Sequence, residues 1–283
     1  AVITADDIGI DDVKSRIQSV IGFDKEDYET SPDPFPTWTE KEIMEQPQAI
    51  AKALESGARL SYSGDVALGA LTANIEKLQD IRNLIITGCG TSLNAGLYAK
   101  RLMEYLNSFD TIQLVDSAEV VNDTFPSGTT RDKTGVLAIS QSGETKDVIN
   151  ALKIAESFEL PTFSVVNAIG SAIARQTDAC VYCHAGRENA VASTKAFTSQ
   201  VTVLSLIAAW FSQLQNRDGN KYRGKQLIDS LHRLHTYVGS VIHNTKAKCI
   251  EIADYIQDAK HIFVLGKGFG ECIAYEGALK IKE

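Results

Sequence analysis

The feature that most constrains this chain is a rhythm of short apolar runs separated by helix-length segments. The runs are Leu84–Ile86, Ile112–Val115, Val136–Ile139, Thr162–Val166 and Ala179–Tyr182. Runs this short and this apolar read as strands covered on both faces. Helical segments between consecutive strands make those strands parallel. The expected fold is therefore α/β, a three-layer αβα sandwich around a parallel five-stranded sheet. Helices are expected at about 91–106, after 115, at 145–158 and, as a long apolar helix closing the unit, at 194–213.

Around this unit the sequence divides further. Residues 1–38 are an acidic lead-in, with a short helix expected near Ile10–Ile21. It ends in Ser31-Pro32-Asp33-Pro34-Phe35-Pro36, which cannot continue a helix. Residues 39–80 read as a helical lead segment: one helix from Thr39, its N-cap, to about Ser56, and a second over Leu68–Gln79. Residues 81–223 hold the α/β unit, and polar, turn-rich Asn216–Gly224 reads as a linker. Residues 224–283 begin a second unit, with one long helix over Lys225–Gln257, a strand over Ile262–Leu265, a glycine turn and a final helix. The string from Ile262 to Gly268 repeats that from Leu84 to Gly90. One strand cannot bury a sheet, and the first residue is Ala1 rather than Met. The sequence is thus expected to be processed or to be a piece of something longer.

The net charge of −8 argues against a nucleic-acid or anionic-membrane surface. It permits a phosphorylated small ligand, because backbone N–H groups alone can make a positive pocket. No apolar run is expected to reach membrane-spanning length, and the start lacks a secretory signal. Five cysteines without framework spacing read as reduced thiols, as in a cytoplasmic protein.

Four segments carry chemistry. Gly88-Cys89-Gly90-Thr91-Ser92 follows a strand and opens a helix, where glycines admit a ligand close to free N–H groups. A dinucleotide fingerprint needs a third glycine, and that position is Leu93; the later Gly266 and Gly268 fail likewise at Glu271. Ser140-Gln141-Ser142-Gly143-Glu144-Thr145 packs three hydroxyls and a glycine into a helix start. Capping needs one hydroxyl; three, with the N–H groups and the helix dipole, make an anion cradle. Val191-Ala192-Ser193-Thr194-Lys195-Ala196 precedes the long helix and is a candidate pocket wall. On the last helix Glu276, Lys280 and Glu283 share a face. A solvated ion-pair stripe is the plain reading there; a carboxylate and an ammonium beside a sugar phosphate could instead move protons. Cys180-Val181-Tyr182-Cys183-His184 imitates a haem-attachment string, but on a buried strand the cysteines read as small core residues. His232 and His235 read as surface residues of a helix.

Taken together these strings resemble the sugar isomerase (SIS) domain family, and within it the isomerase part of the glutamine–fructose-6-phosphate amidotransferases. The strings that carry the resemblance are Lys41 to Pro47 (KEIMEQP), Gly88 to Ser92, Ser140 to Thr145, Val191 to Thr198 and Glu276 to Glu283. They run in the family's order from about residue 39 to the end. The resemblance implies a SIS-type sandwich followed by the start of a second, incomplete SIS unit. It implies an enzyme making glucosamine 6-phosphate from fructose 6-phosphate with ammonia from glutamine, a step into amino-sugar synthesis. Ser140, Gln141, Ser142 and Thr145 would hold the phosphate. Cys89, Gly90, Thr91, Ser92, Val191, Ala192, Ser193 and Glu276 would line the sugar site. Glu283 would be the proton-transfer base and Lys280 its assistant at the sugar oxygens. No metal or organic cofactor is implied; a homodimer and an upstream glutaminase domain are.

This sequence departs from the family in lacking that glutaminase domain and the remainder of the second SIS unit. With the latter go a ring-opening histidine and an imine-forming lysine, so this stretch is expected to bind better than it catalyses. Arg187-Glu188-Asn189-Ala190 also replaces the family's more usual Pro-Glu-Ile-Gly type of segment, and Leu93 a common tyrosine. Two other readings remain open on the residues alone. One is a related SIS enzyme running as a deaminase or plain aldose–ketose isomerase. The other is a non-catalytic sugar-phosphate sensor, which would have no use for a base at Glu283.

Overall fold

The computed structural model describes residues 30–61, 63–215 and 220–283. The helix expected near Ile10–Ile21 and the first half of the expected 216–224 linker lie outside the described residues.

All five apolar runs form strands: β1 (Asn83–Gly88), β2 (Thr111–Asp116), β3 (Thr134–Ser140), β4 (Thr162–Val166) and β5 (Ala179–Tyr182). They make one parallel sheet in the order β2-β1-β3-β4-β5. Burial explains the sequence pattern. Central β3 and β4 are buried at every residue, so every residue is apolar, small or a hydrogen-bonded hydroxyl. Edge strand β5 is buried at alternate residues. The order reverses between β1 and β3, because the chain moves outward to β2 and then returns past β1. The carboxyl ends of β1 and β3 therefore flank a crevice, the place where open α/β sheets bind ligands.

Helix α1 (Trp38–Ala53) begins two residues earlier than the sequence suggests: Thr37, not Thr39, is the N-cap, and its hydroxyl accepts from Glu40 N at 3.1 Å. Pro47 sits inside α1 and cannot bond the carbonyl of Ile43; Gln46 Nε2 donates to that carbonyl instead, at 3.0 Å. The second expected helix is two pieces, α2 (Gly69–Ala73) and α3 (Ile75–Leu78). Asn74 breaks it by donating its amide back to Ala70 O at 2.9 Å. Helix α4 (Thr91–Tyr105) follows β1 as expected, but the segment after β2 makes only 3₁₀ turns. Helix α5 (Lys146–Ser157) follows β3, and short α6 (Ala172–Gln176) lies between β4 and β5.

The apolar helix α7 (Lys195–Gln215) corrects the membrane expectation, being long and apolar enough to span a bilayer, yet 78% of its apolar window is buried in protein. Its Phe211 packs on Phe163 of β4 and Phe109, with ring centroids 5.4 and 4.7 Å away. It is the core helix of the sandwich.

The expected single helix over 225–257 is two, α8 (Asn220–Leu231) and α9 (Leu234–Ile256), so residues 220–224 are helical rather than linker. The bend has a packing cause: α8 lies on α7, burying Ile228 and Leu231, whereas α9 crosses to lie on α1. The strand expected over Ile262–Leu265 does not form. A strand is defined by its neighbours, and this segment has none to pair with among the described residues. Phe263 and Leu265 are exposed there. The repeat is nonetheless real in the backbone. Gly268, before α10 (Phe269–Lys282), has φ 61° and ψ −126°, against 55° and −127° for Gly90 before α4. Both are left-handed conformations that glycine adopts without a steric cost.

Candidate functional site

The loop after β3 is built around its own hydroxyls. Ser140 Oγ accepts from Gly143 N at 3.0 Å and lies 3.0 Å from Thr145 Oγ1. Ser142 Oγ accepts from Glu144 N at 3.2 Å. Gln141 O accepts from the N–H groups of Asn167 and Ala168 in the loop after β4. Thr145 is the N-cap of α5, yet its hydroxyl turns to Ser140 rather than to the helix. Gly143 has φ 66°, and a Cβ there would come within 1.9 Å of Ser171 Oγ. The loop is thus a tight bowl of hydroxyls and N–H groups at the start of a twelve-residue helix. Such a bowl favours an anion through the N–H groups and the helix dipole without any lysine or arginine.

Across the crevice, Gly90 opens α4 and presents Thr91. Here the last helix arrives: Thr91 Oγ1 donates to Glu276 Oε1 at 3.0 Å, and Asn94 Nδ2 to Glu276 Oε2 at 2.8 Å. Lys280 Nζ lies 3.2 Å from Thr91 Oγ1, 3.5 Å from Glu276 Oε1 and 2.7 Å from Glu283 Oε2. The three charged residues expected on one face do share it, with Glu283 just past the helix end as its cap. Glu276 is buried, while Lys280 and Glu283 remain partly open to solvent. Arg101 to Glu271, 2.7 Å, and the Tyr98–Phe269 ring pair, 5.6 Å, complete the seam between α4 and α10.

The other predicted residues divide. Ser92 faces the core, where its hydroxyl accepts from Gln200 Nε2 of α7 at 3.0 Å. Cys89 is half-buried, and burial with nearby Asp116 pushes its thiol above the usual range, so it is not a ready nucleophile. Val191 stands almost wholly in solvent, at 96% exposure. Ser193 is held by Glu188, which accepts from Ser193 Oγ at 2.8 Å, Thr194 N at 2.7 Å and Ala196 N at 3.2 Å. Glu188 therefore caps α7 and fixes the wall.

Sequence reasoning missed Glu188, Asn94, Gln200 and a buried ionic cluster on α1. In that cluster Lys195 of α7 pairs with Glu45 at 2.6 Å, and Lys41 also bonds Glu45. Burial would raise the Glu45 carboxyl, but hydrogen bonds from Lys195 and Lys41 hold it below its ordinary range. Neighbouring Glu42, 1% exposed, goes the other way: burial lifts it despite N–H groups from Asn189 and Ala190. The KEIMEQP string was the one available signal, for two acids and a lysine on an otherwise core-facing helix start are unusual.

Cys183 is a fully buried core residue whose thiol is driven upward by burial, and Cys180 is half-buried on β5. His232 and His235 are not plain surface residues; they border a cavity of about 390 Å³ against the end of α1. A second cavity, about 460 Å³ around Lys77, Thr162 and Asp178, opens at the amino edge of the sheet, away from the hydroxyl loops.

A parallel sheet in the order β2-β1-β3-β4-β5, with a hydroxyl-rich bowl at its switch point, defines the chain as a doubly wound α/β protein with a candidate ligand crevice. Residues 77–209 of the chain match the family described as SIS domain. Along most of its length it is similar to proteins named glutamine–fructose-6-phosphate aminotransferase (isomerizing). That from Corynebacterium efficiens is 33% identical over 88% of this chain and 39% of its own length; that from Bacteroides thetaiotaomicron is 36% identical over the same shares. The chain thus spans about two fifths of the curated relatives it matches. Among solved structures, the C-terminal domain of glucosamine-fructose-6-phosphate aminotransferase from Francisella tularensis superposes with a TM-score of 0.77 at 29% identity, covering 90% of this chain and 69% of that one. A glucosamine-6-phosphate deaminase from Thermotoga maritima, 21% identical with a TM-score of 0.56 over 86% of this chain and 66% of its own, shares the fold.

Proposed function

We propose that this chain is the sugar-phosphate-handling isomerase part of an amidotransferase that makes glucosamine 6-phosphate from fructose 6-phosphate, with ammonia drawn from glutamine. The observation that carries the proposal is the meeting of Thr91 with Glu276 and Lys280, on the side of the crevice facing the Ser140–Thr145 bowl. One side offers anion-binding N–H groups and hydroxyls, and the other offers a carboxylate and an ammonium. A phosphorylated sugar needs both.

In this reading Ser140, Gln141, Ser142 and Thr145 bind the phosphate, exchanging their mutual hydrogen bonds for ligand oxygens. Thr91, with Gly90 and Cys89 of its turn and Val191–Ser193 opposite, lines the sugar; Ser92 serves from behind, through Gln200. Once ammonia has condensed with the ketose carbonyl at C2, whose oxygen leaves as water, Glu283 takes the proton from C1 and returns it to C2. The ammonium of Lys280, already bonded to Glu283, stabilises the oxygen that gains charge. Glu276 positions both by tying α10 to α4. A glutaminase domain upstream would supply ammonia, and a second SIS unit would complete the pocket. A cytoplasmic homodimer belongs to the same reading, on the family resemblance alone.

The test is calorimetric titration with fructose 6-phosphate, glucosamine 6-phosphate and unphosphorylated fructose, on this chain and on the full-length protein. Binding of the phosphorylated sugars alone is expected. Equal binding of fructose, or no binding by the full-length protein, overturns the proposal.

A further inference from the structure

Between β5 and α7 the chain runs through residues 183–194 without regular secondary structure. Backbone polar groups in such a segment need partners from elsewhere. Three side chains supply them in turn. Asn167 accepts from Ala185 N and donates to Gly186 O, each at 2.8 Å. Glu42 accepts from Asn189 N at 2.5 Å and Ala190 N at 3.1 Å. Glu188 then takes Thr194 N and Ala196 N. Glu42 reaches the segment's backbone from outside the SIS match, from α1, and it serves the two residues directly before Val191.

Its environment is built for that contact. Glu42 is 1% exposed, and its second oxygen, Oε2, has no hydrogen-bond partner among the described residues. A carboxylate is rarely buried merely to be half satisfied. A change at Glu42 would release the backbone of 189 and 190 and, one residue on, the wall at 191–193. The neighbouring Lys195–Glu45 pair anchors α1 to the same helix start, so the clamp has a fixed base.

We propose that Glu42 is a positioning residue that holds the Val191–Ser193 wall in its ligand-facing conformation through the Asn189 and Ala190 N–H groups. The role rests on the sugar-phosphate reading above, because it concerns the wall of that site. It acts on the sugar body and not on the phosphate bowl, from which it is separate in the fold.

The test compares Glu42→Ala, Glu42→Asp and Glu42→Gln in the full-length protein by two measurements. The first is amide hydrogen exchange across 189–193 and 140–145 without ligand. The second is titration with fructose 6-phosphate and with inorganic phosphate, the latter reading the bowl alone. Glu42→Ala and Glu42→Asp are expected to speed exchange at 189–193 about tenfold or more and to weaken fructose 6-phosphate about tenfold. Inorganic phosphate affinity and exchange at 140–145 stay as in the wild type. Glu42→Gln, whose amide oxygen still accepts both N–H groups, restores the sugar affinity. Should Glu42→Ala not fold, Glu42→Asp, which keeps the charge and withdraws the oxygens by one methylene, carries the comparison. Unchanged sugar affinity, or equal losses for sugar and phosphate, overturns the positioning role while leaving the function standing. A wild-type protein that binds no sugar phosphate overturns both.

Discussion

Thr91 and Glu276, 185 residues apart, share a hydrogen bond of 3.0 Å that joins the first α/β unit to the last helix. With the Asn94 bond at 2.8 Å it leaves both oxygens of a buried carboxylate engaged. Glu276→Ala is expected to cost about 2–3 kcal/mol of docking, since two donors lose a charged acceptor. Limited proteolysis in 259–268 should accelerate markedly, with the sheet's own unfolding transition little changed. An unaltered cleavage rate would mean that the Tyr98–Phe269 and Arg101–Glu271 contacts hold α10 by themselves.

The bowl predicts its own sensitivity. Removing one hydroxyl in Ser142→Ala should weaken fructose 6-phosphate about tenfold, close to 1.4 kcal/mol, with no more than a small change in melting temperature. Titration calorimetry reads the first quantity and thermal denaturation the second.

Gly143 is a different case. Its φ of 66° and the 1.9 Å approach of Ser171 Oγ to any added Cβ leave no room for a side chain. Gly143→Ala should destabilise the protein by about 2 kcal/mol or more and abolish inorganic phosphate binding, as seen in a thermal scan paired with a titration.

The α1 cluster predicts an acid limb. The Glu45 carboxyl lies below its ordinary value of 4.5 in the folded state, so its stabilising contribution is present above that value and is lost as pH falls through the lowered one. Glu42 has the opposite sign: its contribution is full below 4.5 and is lost as pH rises through its raised folded value. Lys195→Met should therefore flatten the fall in melting temperature below about pH 4.5 relative to the wild type. An equally steep fall in both proteins would put the acid limb elsewhere, for instance on Asp178, whose carboxyl Lys77 and Thr162 also hold low against burial.

For catalysis, Glu283→Gln in the full-length enzyme is expected to lower turnover by about 10²–10⁴ while leaving sugar-phosphate affinity within a few fold. Single-turnover kinetics beside a binding isotherm separates the two. Retained turnover would move the base to another residue.

The sequence by itself determined the parts whose cause is local. Strands buried on both faces must be apolar or small throughout, so β1, β3 and β4 could be read directly, and the partly buried edge strands β2 and β5 still left short apolar runs. Glycine at a left-handed position leaves its mark, as do clustered hydroxyls at a helix start. The 3.6-residue period put Glu276, Lys280 and Glu283 on one face. Only the tertiary structure decided the rest. It turned Ser92 inward to Gln200 and enlisted Glu188 and Glu42 to hold a wall that no periodicity describes. It bent 220–256 into two helices because α7 and α1 offer separate beds, and it left Ile262–Leu265 unpaired despite a strand-like sequence. For Ser92 and for Glu42 the deciding partner is more than a hundred positions away, and a hydrogen bond across that separation has no local signature.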